Sequence, residues 1–214
     1  WGWVQPPSTC RSMAWACVFM VRQADLKRLL AYSSVEHMGI LAFGVGMGGL
    51  ATRFALYHVA ANAFVKTALF LGIGNVHRAY AARTVPEVSG VMRRLPVTGW
   101  LLMLGFLAIT CSPPFAPFLG VFGILRGAFE GGHGPAAALF LVLLGLVFVG
   151  MGTTVLPALQ GAPSRRRART PYGDTVATTA PILAALLLAL VLGLWLPKPA
   201  AALLERATIL AEGR

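Results

Sequence analysis

Acidic side chains are nearly missing: the 214 residues include seven Asp and Glu, and charged residues of both signs make up 12% of the chain, against roughly 25% in a soluble domain. That composition excludes an ordinary water-exposed fold. Cysteine is scarcer still. Cys10, Cys17 and Cys111 form no CxxC and no paired framework, so each reads as a small apolar residue, with no disulfide scaffold or metal site specified. There is also no phosphate loop, HExxH pair or nucleophile elbow, so nothing in the residues points to a redox centre or to bond cleavage. No Lys/Arg-rich opening leads into an apolar core and a small-residue cleavage site, so the start does not read as a signal peptide.

What the chain does have is length of apolar run. Hydrophobic residues make up 57%, mean hydropathy is +0.73, and long runs recur at Val35 to Ala51, Phe54 to Val76, Val97 to Phe129, Ala136 to Leu159 and Val176 to Leu196. A spanning helix needs about 20 such residues, so the chain reads as a polytopic membrane protein. The net charge of +11 sits mainly in short connections, the pattern of cytoplasmic loops facing anionic lipid, and this sets nucleic acid aside as a partner. Between Arg11 and Arg22, "SMAWACVFMV" is too short to cross. The expectation is a truncated transmembrane helix over 1–22, with 23–214 the C-terminal portion of a longer membrane domain.

The second helix is expected from about Ser33 to Thr52, with Ser33 or Ser34 as cap. Arg53 alone would then separate it from a third helix, about Phe54 to Ala79. A polar connection follows, with Arg78, Arg83, Arg93 and Arg94, interrupted by Pro86 and Gly90. The run Val97 to Phe129 would make a straight helix of about 50 Å, too long for one regular crossing. "CSPPFAPF" breaks it, because Pro113, Pro114 and Pro117 remove three backbone donors. Either two short crossings or one discontinuous crossing would fit. Charge favours one: a single broken crossing keeps Lys27 and Arg28, Arg78 to Arg94, and "SRRRAR" on the same side. The expected fold class is all-α, a polytopic transmembrane helix bundle of about six crossings including one discontinuous helix, with the C-terminal tail on the non-cytoplasmic side.

Lys66 lies midway along the third helix. An amine at bilayer depth costs several kcal/mol, so it should face protein or water, and poor solvation makes it able to take up and release a proton. His58, Asn62 and Lys66 fall at i, i+4 and i+8, one polar stripe on an otherwise apolar face. A hydrogen-bonding group every turn is what a water-linked proton wire requires; a snorkelling lysine and an interfacial histidine are the structural alternative. Glu36 and His37 open the second helix. They read equally as a first-turn carboxylate with an interfacial imidazole and as the mouth of a proton path. The broken crossing adds the other element of an ion path, since unwound backbone inside a bilayer is tolerated only where protein buries it or a cavity adjoins it.

"DLKRLLAYSSVEHMG", "LYHVAANAFVKTALFLGIG" and "LPVTGWLLMLGFLAITCSPPFAPF", in that order, resemble the antiporter-like proton-translocating subunits of respiratory complex I, cation/proton antiporter complexes and membrane-bound [NiFe] hydrogenases. The Glu-His pair after "YSSV" is most similar to the hydrogenase-4 component F and formate hydrogenlyase branch. The resemblance implies a fold of about fourteen helices built from two inverted repeats, of which this chain holds the C-terminal part. It also implies a non-redox subunit without a cofactor of its own, one that couples electron transfer elsewhere in an NADH/quinone or hydrogenase oxidoreductase complex to proton translocation. Expected partners are the other membrane and peripheral subunits, the lipid bilayer and protons, in a bacterial-type inner membrane. By resemblance Lys66 matches the family lysine and His58 its first histidine, while Asn62 stands where the second histidine would be. Val121 stands where a glutamate or lysine usually follows the break, and valine cannot hold a proton. A structural fragment without transport and a stand-alone cation/proton antiporter are the other readings.

Overall fold

The computed structural model describes residues 13–15, 18–20, 23–82, 84–85, 87–162 and 170–212. The truncated helix expected over 1–22 lies mostly outside them, as does the basic run 164–169. Residues 13–15 and 18–20 are helical.

Helix α1 spans Leu26–Met47, and Asp25 starts it: in extended conformation, its Oδ1 accepts hydrogen bonds from the Lys27 and Arg28 amides at 2.8 and 3.2 Å. The expected start at Ser33 is therefore too late by about two turns. Lys27 and Arg28 are exposed while Leu26, Leu29 and Leu30 are buried, so the basic stretch is the first turn of the helix and not a connection. Ser33 is interior, its hydroxyl donating to the Leu30 carbonyl at 2.8 Å. Helix α2 spans Gly49–Tyr80, 32 residues or about 48 Å. Gly48 and Gly49, at φ 75° and 54°, make the reversal between α1 and α2. Arg53 thus sits inside α2 and separates nothing.

A single helical turn, α3 (Val91–Arg94), leads into α4 (Pro96–Ile109). Then come α5 (Ala116–Glu130), α6 (Gly134–Gln160), α7 (Val176–Leu194) and α8 (Lys198–Glu212). No β-strand occurs among the described residues. Four helices, α1, α2, α6 and α7, are long and apolar enough to cross a membrane.

The packing on α2 decides how α4 and α5 cross. Gly72 of α2 faces Leu102 and Leu69 faces Gly105, both on α4; His58 faces Gly120, Phe54 faces Gly123 and Ala51 faces Gly127, all on α5. As residue numbers fall along α2 they rise steadily through α4 and α5. The two short helices therefore run end to end in one direction, as a single broken crossing. Pro113 and Pro114 lie in the break, whereas Pro117 occupies the first turn of α5, where a missing amide costs nothing. The outward faces of α6 and α7 carry Val142, Val149, Leu187 and Leu188, all exposed, which in water would be an aggregation surface and in a bilayer is the lipid face.

At the end of the bundle where α2 finishes, residues 170–174 act as a strap. Thr170 donates to the Ala79 carbonyl at 2.8 Å, and Tyr172 donates to Asn75 Oδ1 at 2.8 Å. Asp174 reaches α4: its Oδ2 accepts from the Val97 and Thr98 amides at 3.0 and 3.2 Å, and its Oδ1 from the Thr98 hydroxyl at 2.5 Å. A carboxylate distant in sequence thus caps α4, whose own first residue is a proline. Asp174→Ala is expected to cost about 1–2 kcal/mol, read as a lower thermal midpoint in detergent, with Asp174→Asn losing less. Equal midpoints for all three proteins would show that the strap does not hold α4.

Candidate functional site

Because α1 begins at Leu26, Glu36 and His37 sit near its midpoint, not at its mouth. That placement corrects the expectation that they open the helix: Glu36 is not a first-turn carboxylate, since Asp25 caps α1 and both residues lie about three turns further in. Both are 2% exposed. On α2, His58 is fully buried, Asn62 is buried and Lys66 half-buried, so the helical stripe faces protein.

These two rows meet. His37 Nδ1 and His58 Nε2 lie 2.8 Å apart, with the ring centroids 5.0 Å apart and stacked. His58 Nδ1 lies 3.3 Å from the carbonyl oxygen of Pro117, in the first turn of α5. A carbonyl only accepts, so His58 Nδ1 carries a proton and donates it there. In the neutral ring Nε2 is then an acceptor, and His37 Nδ1–H donates to it. The three elements so joined are α1, α2 and the broken crossing.

Lys66 Nζ donates to the Ser34 hydroxyl, and Glu36 lies within electrostatic range of both Lys66 and Cys111. No ion pair closer than 4 Å joins Glu36 to Lys66; the ion pair found among the described residues is Arg126–Glu130, on the surface. Four buried side-chain atoms have no hydrogen-bond partner among the described residues: Glu36 Oε2, His37 Nε2, Asn62 Oδ1 and Thr52 Oγ1. Three of them belong to this cluster. Buried polar groups are nearly always paired, and leaving one unpaired costs about 1–3 kcal/mol. All three lie on α1 and α2 around the histidine pair.

The break is built from local bonds. The Thr110, Cys111 and Ser112 amides donate to the Phe106, Ala108 and Leu107 carbonyls at 3.1, 3.2 and 2.9 Å, and Cys111 takes φ 57°, in the left-handed region. Val121, one turn beyond Pro117, is 5% exposed and packed in the apolar core. No group of three His, Cys, Asp or Glu arranged to hold a metal occurs among the described residues. Sequence reasoning missed Ser34 as the partner of Lys66 and the Pro117 carbonyl as the partner of His58; neither has a periodic signal. Gly120 could have been found, as the first of Gly120, Gly123 and Gly127 on one face of α5.

The all-helical bundle, with four helices long and apolar enough to cross a membrane and one crossing broken between α4 and α5, has the fold of the antiporter-like membrane subunits. The chain belongs to the family described as NADH:quinone oxidoreductase/Mrp antiporter, TM, whose profile matches residues 8–152. It is 36% identical over 150 residues to the Hydrogenase-4 component F homolog of Methylacidiphilum infernorum, a match covering 70% of this chain and 31% of that protein. It is 37% identical over 126 residues to NADH-quinone oxidoreductase subunit L of Campylobacter jejuni, covering 58% of this chain and 20% of that one. The chain thus spans about a third or less of the curated relatives it matches. The fold is shared with a chain of the Mrp complex from Dietzia sp., at TM-score 0.82 and 22% identity over 98% of this chain and 46% of that one. Respiratory complex I from Thermus thermophilus contains a chain of the same fold, at TM-score 0.77 and 24% identity over 95% of this chain and 43% of that one.

A Cβ placed on Gly120 would lie 2.7 Å from His58 Cβ and 3.0 Å from its Cα. Gly120→Val is therefore expected to push α5 off α2, lowering stability by about 1–3 kcal/mol and shifting the imidazole nitrogen NMR signals of His58 and His37 together. Unchanged histidine signals would show that α5 does not hold the ring.

Proposed function

We propose that the chain is the C-terminal portion of a membrane subunit that carries protons across the bilayer for an NADH/quinone or hydrogenase oxidoreductase complex, with electron transfer taking place in other subunits. The observation that carries this reading is the buried run from Lys66 past Asn62 to the His58–His37 pair, flanked by Glu36 and ending on the broken crossing. Its partners are the other membrane and peripheral subunits, lipid and protons, in a bacterial-type inner membrane.

The hydrogen-bond directions set what this arrangement does. His37 Nε2 is an acceptor with no partner among the described residues. A proton arriving there makes His37 a cation, whose Nδ1–H then passes to His58 Nε2 across 2.8 Å. His58 then holds protons on both nitrogens, and the Pro117 carbonyl steadies the charged ring without taking its proton. The histidine pair thus moves charge from α1 to the break. Lys66 and Glu36 lie within electrostatic range of each other with no direct ion pair, so a change of charge at either one is felt at the other.

One observation favours a second reading. At Val121, where the resembled family usually places a glutamate or lysine, the chain packs a buried valine into the core, so the outer end of the path has no proton-holding side chain there. On that reading these residues are a structural part that packs against partner subunits. Lys66→Ala or His58→Leu in the assembled complex separates the two. Proton uptake into vesicles is expected to fall at least tenfold, by the usual worth of a placed acid or base, and Val121→Glu to raise the wild-type rate. Proton movement unchanged in Lys66→Ala would leave the structural reading standing.

A further inference from the structure

At the end of the bundle opposite the strap, α8 folds back over the first turns of α2 and leaves a cleft of about 320 Å³ between α2, α5 and α8. Its walls are apolar, from Phe54 on α2, Leu119 on α5 and Leu204 on α8, yet two arginines line it, Arg53 of α2 and Arg126 of α5. Arg53 is half-buried and makes no hydrogen bond or ion pair with any described residue. Arg126 donates through Nε to Glu130 at 2.7 Å, which leaves the terminal amino groups of its guanidinium fork for another acceptor. Two cations and one carboxylate at an apolar cleft leave one positive charge without a counter-ion.

Depth identifies the counter-ion. Arg53 lies thirteen residues before Lys66 on the same straight helix, so it is displaced about 20 Å along the axis from the middle of the crossing. Half of a hydrocarbon core of about 30 Å is about 15 Å, so Arg53 falls in the headgroup layer. A guanidinium there meets phosphate, and its planar fork fits phosphate oxygens two at a time. The apolar walls run from that level toward the membrane centre, as an acyl chain does.

We propose that the cleft between α2, α5 and α8 binds one anionic phospholipid, its phosphate held by Arg53 and Arg126 and an acyl chain laid against Phe54, Leu119 and Leu204. Leu204 is α8's contribution to that wall, so the lipid fastens α8 to the bundle. The exposed side of α8, with Leu203 and Leu210, then lies along the interface.

The test uses the full chain, purified in neutral detergent and reconstituted in phosphatidylcholine alone or mixed with phosphatidylglycerol. Phosphatidylglycerol is expected to raise the thermal midpoint and slow amide exchange over α8 in the wild type. Arg53→Gln or Arg126→Gln should weaken its retention roughly tenfold, Arg53→Lys should lose less, and Arg93→Gln, at the other end, should lose nothing. If Arg53→Gln does not fold, Arg126→Gln carries the test, since its side chain is 66% exposed and its loss leaves the core intact. Equal effects of the two lipids, or variants that retain phosphatidylglycerol as wild type does, would overturn the site. Protection by inorganic phosphate or glycerol phosphate equal to that by phosphatidylglycerol would overturn the lipid as occupant in favour of a free-anion site.

Discussion

Backbone that unwinds inside a bilayer must find its hydrogen bonds within the protein, and much of this structure follows from how the break between α4 and α5 does so. Three amides fold back on the last turn of α4, two prolines bring no amide at all, and a third proline opens α5 where an amide would be idle. Just past the break, the Pro117 carbonyl in the first turn of α5 is the acceptor on which His58 rests. The interruption is thereby turned into a binding surface for an imidazole on α2.

That surface needs close approach. Gly120, Gly123 and Gly127 make one face of α5 nearly flat, and His58, Phe54 and Ala51 of α2 lie against it. Small residues at helix contacts are the usual means of drawing helices together where lipid tails are as apolar as the side chains. A side chain at position 120 would fill the space of the His58 Cβ. The same closeness brings α1 in, since Gly44 packs on Ala55 and Ala51, about one and two turns before His58. The distance of 2.8 Å between the two histidines is thus a consequence of packing made elsewhere.

The legible part of the sequence was whatever has a period or a breaker. The apolar runs, the prolines of "CSPPFAPF" and the stripe at 58, 62 and 66 all carry such signals, and the single broken crossing followed from where the arginines lie. The start of α1 did not, because "DLKRLLAYSS" reads as a basic connection until Leu26, Leu29 and Leu30 are seen to share a buried face with Asp25 as cap. Moving that start back by about two turns carries Glu36 and His37 from the opening of α1 to its middle. Nor could the sequence pair His37 with His58 or Lys66 with Ser34, since each pair joins two helices and depends on their rotation. The capping of α4 by Asp174 is hidden for the same reason.

The choice of partner for Lys66 bears on what the buried amine is for. A lysine in direct contact with a carboxylate at this depth would be a settled pair, each charge fixing the other, and moving a proton from it would strand the partner in a medium of low dielectric. Lys66 instead donates to a hydroxyl, with Glu36 near enough to feel its charge but not in ion-pair contact. A hydroxyl can donate or accept by turning, so it stays bonded whether or not the amine carries its extra proton. The histidine pair has the same property: His37 donates to His58 while both rings are neutral, and His58 donates back once it is the cation. Lys66 and the two histidines therefore face neighbours that tolerate both of their charge states, and at Val121, where valine stands in place of a proton-holding side chain, no such group follows.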